Sequence, residues 1–160
     1  MKNFFEIFEI PQKFEIDLEQ LEQKYFQFQK QFHPDGASFS DIEKSIEINK
    51  AYKILSNSIA RASYILQLNK IDIENDSCAP KPDFATLEEI LELQEMVAEI
   101  SANQAQNLRK NLQQRIKILL QEVAKKLENK EFEAAAQVLI KTKYFDKTLR
   151  DLKELKNNAF

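Results

Sequence analysis

The 160-residue sequence has one histidine, one cysteine, one glycine, four prolines and no tryptophan, and several of these scarcities exclude a class of chemistry. Cys78 has no second cysteine to bridge, so the chain forms no internal disulfide and suits a reducing compartment. One histidine and one cysteine cannot assemble the four-ligand sets usual for structural zinc or for iron–sulfur centres. Glycine-rich phosphate loops are excluded too, because the Walker and dinucleotide fingerprints need several backbone positions free of Cβ. No cofactor and no resident metal are expected.

Charge is nearly balanced, with 23 basic against 26 acidic residues, a net −3 and a pI near 5.4. A nucleic-acid partner would draw on a basic excess, and none is expected. Residues 1–10 are apolar but carry Glu6 and Glu9, unlike the uncharged core of a signal peptide or an arginine-rich transit peptide. No apolar run approaches the ~18 residues of a membrane span. A soluble, cytoplasmic protein with no membrane partner is the expectation.

Abundant Leu, Ile, Glu, Lys and Gln with almost no Gly favour helix, and the prolines act as punctuation. Pro11 closes a short apolar opening, Phe4 to Phe8. Asp17 is an N-cap candidate with Gln20 at the capping-box position, and Leu18, Leu21, Tyr25, Phe28 and Phe32 recur at spacings of three and four. This predicts an amphipathic helix over 17–32, stopped by Pro34. Ser40 with Glu43 opens a second helix through Ile42, Ile46, Tyr52, Ile54 and Leu55, and Ser56 or Ser58 caps a third through Ile59, Ala62, Ile65 and Leu66. Residues 69–82 lose the period and collect Asn, Asp, Ser and Pro, which reads as an interdomain connection. Three long helical segments follow, 84–100, 105–128 and 131–157, joined by short polar turns, so neighbours run antiparallel as a three-helix bundle. The fold class is all-α, with a helical hairpin and flanking helices over 1–68 and the bundle over 83–160.

The single histidine sits in His33-Pro34-Asp35, between two helices predicted to be antiparallel. Pro34 stiffens the turn, His33 stands at its tip, and Asp35 offers a carboxylate to a basic groove on a partner. The bland alternative is a helix stop with a surface histidine. A catalytic His–Asp dyad would need a nucleophile or metal and a pocket, which the sequence does not supply.

On a helical wheel, 84–100 separates into three zones. Ile90, Leu93, Val97 and Ile100, with Met96 at the margin, make a core face. Glu88, Glu92, Glu95 and Glu99 make an acidic stripe, and Phe84, Leu87 and Leu91 run beside it. Like charges at i and i+4 repel by a few tenths of a kcal/mol, so the stripe adds little to the helix itself. It suggests a docking surface for an apolar and basic partner. The alternative is that Leu87 and Leu91 pack on the third bundle helix and the acids are a solvated face.

Taken together, the apolar opening Phe4 to Phe8, the helix 17–32, His33-Pro34-Asp35, and Asn49-Lys50-Ala51-Tyr52 with Leu55 resemble the J-domain co-chaperones. That resemblance implies stimulation of a DnaK-type heat-shock ATPase, with His33, Pro34 and Asp35 as the essential contact and Lys24 and Lys30 as electrostatic support. Gly36 stands where a lysine commonly follows, and Asp17, Glu19 and Glu22 dilute the basic face. Arg61-Ala62-Ser63-Tyr64-Ile65-Leu66, Leu91-Glu92-Leu93-Gln94-Glu95, Glu99-Ile100, Phe132-Glu133-Ala134-Ala135-Ala136 and Phe145-Asp146-Lys147 extend the likeness over 1–160. Over that length the chain resembles the HscB family of iron–sulfur cluster biogenesis. This family implies an HscA-type ATPase and an IscU-type scaffold as partners, and no enzymatic activity of its own. Leu87, Leu91, Glu92, Glu95 and Glu99, with Tyr144 as an aromatic from the last helix, would bind the scaffold. Glu88 falls where the family can be apolar. A J-domain protein with a different client, and a purely structural helical protein, are the alternatives.

Overall fold

The computed structural model describes residues 2–31, 39–75, 77 and 79–157, with the backbone alone at 40, 102 and 154–157. The described residues form seven helices and no strand: α1 Phe4–Ile7, α2 Leu18–Gln31, α3 Phe39–Ser56, α4 Ser58–Leu68, α5 Phe84–Ala98, α6 Ala102–Glu128 and α7 Phe132–Asn157. The chain divides into two compact units, Met1–Ile65 and Leu66–Phe160.

In the first unit, Asp17 Oδ1 accepts from the Gln20 amide at 3.0 Å, the N-cap read from the sequence. Asn57, rather than either neighbouring serine, caps α4, its Oδ1 accepting from the Ala60 amide at 2.9 Å. Phe5, Phe8, Leu21, Ala51, Leu55 and Ala62 are wholly or almost wholly buried. The expected stripe of α2 is only partly internal, because Leu18 is exposed. On α3, Ile42 and Ile46 are exposed as well, with Phe39 beside them.

Arg61, 4% exposed, is the polar centre of this unit. Its Nε donates to the Phe14 carbonyl at 2.8 Å, Nη1 donates to the Leu55 carbonyl, and its guanidinium lies 5.0 Å from the Phe14 ring centroid. Burial lowers the pKa of the guanidinium from its ordinary value and the nearby Glu15 raises it. Tyr64 accepts the Phe4 amide at 3.0 Å and stacks on the Phe4 ring at 4.4 Å. The Arg-Ala-Ser-Tyr segment thus pins α4 to the opening of the chain.

In the second unit, Leu93 of α5, Leu108, Leu112 and Ile116 of α6, and Phe145, Leu149 and Leu152 of α7 share one core. α5 ends at Ala98, two residues before the sequence reading, with Glu99 as its C-cap. α6 starts three residues early because Ser101 caps it, its amide donating to Gln104 Oε1 at 3.1 Å. Glu89 joins the three helices, accepting from Lys141 Nζ at 2.8 Å and Arg115 Nη2 at 2.7 Å. The connection lies against α7: Glu74 pairs with Lys143 at 2.6 Å, and the Lys81 carbonyl accepts from Gln137 Nε2 at 2.9 Å.

The shortage of glycine has a structural consequence. Helices α1, α4 and α6 each close on a residue with positive φ, and these residues are Glu9, Lys70 and Lys130. In each case the next residue's amide reaches back five positions, Ile10 to Phe5, Ile71 to Leu66 and Glu131 to Lys126, the hydrogen-bond pattern of a Schellman cap. Glycine is the usual residue there, and a side chain in that conformation costs about 1 kcal/mol.

Candidate protein-interaction surfaces

His33, Pro34 and Asp35, with Gly36, lie outside the described residues, as does Cys78. What the structure does describe is the hairpin whose ends the 32–38 segment joins. Tyr25 of α2 stacks on Tyr52 of α3, with centroids 4.0 Å apart and planes within 12°. Tyr25 Oη and Gln29 Nε2 both donate to Asn49 Oδ1, at 2.9 and 2.8 Å. Position 25 meets 52 and 29 meets 49, so the helices run antiparallel. Asn49 and Tyr52 of the Asn-Lys-Ala-Tyr run are therefore the clasp that sets this hairpin.

The two lysines of α2 differ. Lys30 is exposed in the last turn. Lys24 is half-buried and tied back to the first unit, donating to the Glu9 carbonyl at 3.3 Å and lying 3.8 Å from the Glu9 carboxylate. Asp17, Glu19 and Glu22 are exposed on the same helix.

On α5 the three zones are physically separate. Ile90 and Leu93 are buried, and Val97 and Ile100 pack at the edge of the core. Leu87, Leu91 and Phe84 are 45%, 58% and 81% exposed, and none belongs to the buried cluster that the three helices share. Glu88, Glu92, Glu95 and Glu99 are all exposed beside them. Met96, at the margin of the core face on the wheel, is exposed too. Tyr144 of α7 presents a ring at 43% exposure. Contiguous exposed apolar side chains of this size mark interaction surfaces more often than scattered ones do.

The helix that carries this strip is firmly held. Asp83 caps it, accepting from the Thr86 amide at 2.8 Å, and this hydrogen bond lowers the pKa of the Asp83 carboxyl. The Glu89 carboxyl is lowered as well, first by its hydrogen bond from Lys141 and then by the charges of Lys141 and Arg115. Sequence reasoning passed over Glu89, although its place on the wheel beside Met96 and Ile100 would have set it apart from the acidic stripe. It also passed over Phe39, Ile42 and Ile46 as a surface. Among the described residues no group of His, Cys, Asp and Glu is placed to hold a metal, and no helix is long and apolar enough to cross a membrane.

An antiparallel hairpin flanked by two further helices, with its connecting segment at 32–38, is the arrangement of a J-domain, and residues 3–64 match the DnaJ domain family. Residues 82–153 match the family described as the HSCB C-terminal oligomerisation domain. Over 153 residues the chain is 35% identical to a protein named co-chaperone protein HscB homolog from Acinetobacter baumannii (strain SDF), spanning 94% of this chain and 88% of that one. Among solved structures, human co-chaperone protein HscB superposes with a TM-score of 0.89 at 27% identity, over 100% of this chain and 84% of the human one. Chaperone HscB from Vibrio cholerae superposes with a TM-score of 0.83 at 26% identity, over 99% of this chain and 100% of that one. The chain belongs to the HscB co-chaperone family.

Proposed function

We propose that this chain is a two-ended adaptor of iron–sulfur cluster assembly, with a J-domain over 1–68, a connection over 69–82 and a scaffold-binding bundle over 83–160. His33, Pro34 and Asp35, supported by Lys24 and Lys30, engage an HscA or DnaK-type heat-shock ATPase and stimulate its hydrolysis of ATP. Leu87, Leu91, Glu92, Glu95 and Glu99, with Tyr144, hold an IscU-type scaffold and deliver it as the chaperone's client. The adaptor breaks no bond itself and works in the cytoplasm. Its contribution is effective concentration, by tethering client to ATPase, and a population shift of the ATPase toward its hydrolysis-competent state.

The observation that carries the reading is the exposed strip on α5, an apolar row bordered by four carboxylates on a helix whose other face fills a core. Burying a leucine of this strip against a partner is worth roughly 1.5–3 kcal/mol, and the flanking acids select a partner with basic residues. One experiment with two readouts tests both ends: the purified chain is offered an HscA-type ATPase and, separately, an IscU-type scaffold. Stimulated ATP hydrolysis that is lost in Asp35→Asn, together with scaffold binding retained in that variant, is expected. Stimulation that survives Asp35→Asn would remove the assignment of 33–35, and no scaffold binding would hand the bundle to another client.

A further inference from the structure

Beside the connection, α7 lines a second concavity, an open groove of about 440 Å³. Its far wall is the proline-bearing stretch 79–82, and its α7 wall is one helical stripe, from Ile140 through Lys143, Tyr144 and Lys147 to Arg150. The floor is apolar, with Ile73 and Ile140 both buried. The rim is cationic, formed by Lys81, Lys143, Lys147 and Arg150. Two of these cations are answered within the unit, Lys143 by Glu74 at 2.6 Å and Arg150 by Asp146 at 3.2 Å. Lys81 and Lys147 are exposed and make no ion pair among the described residues. A chain that is acidic overall thus gathers, among the described residues, two cations without an ion pair around one apolar cleft.

The geometry points to this groove as the docking site for an extended acidic peptide segment of a partner protein, with an apolar side chain seated on the Ile73 and Ile140 floor and carboxylates on Lys81 and Lys147. Charge complementarity selects the occupant. A nucleic-acid strand would bring a continuous row of phosphates to a rim with only two cations unpaired among the described residues and would leave the apolar floor unused. A short peptide can alternate charge and apolar side chain, matching cationic rim and buried floor in turn. The groove shares Tyr144 with the proposed scaffold surface but differs from the α5 strip in charge, since the strip is acidic and calls for a basic partner.

The test is fluorescence anisotropy on the full chain with three labelled probes: a ten-residue peptide alternating glutamate and leucine, the same peptide with lysine for glutamate, and a single-stranded DNA oligonucleotide. Binding of the acidic peptide is expected, weakening as salt is raised, with the oligonucleotide not bound comparably and any binding of the lysine peptide, which suits the acidic α5 strip, independent of Lys81 and Lys147. Lys81→Glu with Lys147→Glu should weaken it at least tenfold, and the milder Lys81→Gln with Lys147→Gln by a smaller factor. The exposed α6 pair Lys110→Glu with Lys117→Glu, which changes net charge equally, should leave it unaltered. Circular dichroism establishes that each variant is folded. No binding of the acidic peptide, equal loss in the α6 control, equal or tighter binding of the oligonucleotide, or lysine-peptide binding that weakens in the Lys81→Glu with Lys147→Glu variant would overturn the assignment.

Discussion

Replacing Arg61 with alanine should cost the first unit about 3–5 kcal/mol, the sum of two charged hydrogen bonds at roughly 1.5–3 kcal/mol each, net of partial overlap between them. The figure follows from what the guanidinium holds. It satisfies the Leu55 carbonyl, one of the orphan acceptors in the last turn of α3, and the Phe14 carbonyl in the segment between α1 and α2. It also brings positive charge to the negative end of the α3 dipole and covers the Phe14 ring. Removal leaves two carbonyls without that partner in a region where Phe14 and Leu55 are buried. A unit of this size has little surplus stability, so most of it is at stake. Three of the four tyrosines, Tyr25, Tyr52 and Tyr64, lie in this unit. Urea unfolding followed by near-ultraviolet circular dichroism of tyrosine therefore reports it, while far-ultraviolet signal reports both units. Arg61→Met, which restores bulk but donates nothing, should recover only a minor part of the loss. A change below about 1 kcal/mol in Arg61→Ala would refute the view that this side chain clasps the unit.

Three further outcomes are expected. Lys130→Gly and Lys70→Gly each remove a side chain from a left-handed cap and should stabilise the second unit by about 1 kcal/mol, read as a higher urea midpoint; an unchanged midpoint would mean that these caps carry no strain. Because the Glu89 pKa is depressed in the folded state, its ion pairs stabilise above the unfolded value of about 4.3 and are lost as pH falls through the lower folded value. The stability gap between wild type and Glu89→Gln should therefore shrink below about pH 4, and a gap independent of pH would show the carboxylate's charge to be irrelevant. Substituting alanine at Leu91, Glu92 and Glu95 together should weaken scaffold binding by several kcal/mol, measured calorimetrically, if the strip is a hot spot, and unchanged affinity would make it a solvated face.

Much of the second unit was legible because its helices carry one dominant apolar face. The wheel of α5 separated Ile90 and Leu93 from Leu87 and Leu91, and the structure buries the first pair and exposes the second. α6 begins ahead of its apolar period because Ser101, within the polar turn, caps it through its amide bond to Gln104, a signal that periodicity does not carry. α3 defeated periodicity for a different reason. At about 100° per residue, Phe39, Ile42 and Ile46 fall on one face and Ile48, Ala51 and Leu55 on nearly the opposite one, so the helix has two apolar sides. Only packing on α1 and α2 chose which side is internal.

By itself the sequence determined the helical class, the breaks at its prolines and the place of the single histidine before Pro34, because residue type acts there through local backbone geometry. It also determined that metal clusters and glycine-rich phosphate loops are not built from this chain alone, since these need residues it lacks. Tertiary structure decided what depends on neighbours distant in sequence. Arg61 became an internal clasp, Glu89 a junction of three helices, and Lys24 a tether to Glu9. The cationic groove beside α7 likewise exists only because residues 73–82 fold back on residues 140–150, bringing charges some 60 positions apart to one rim, which no local pattern records.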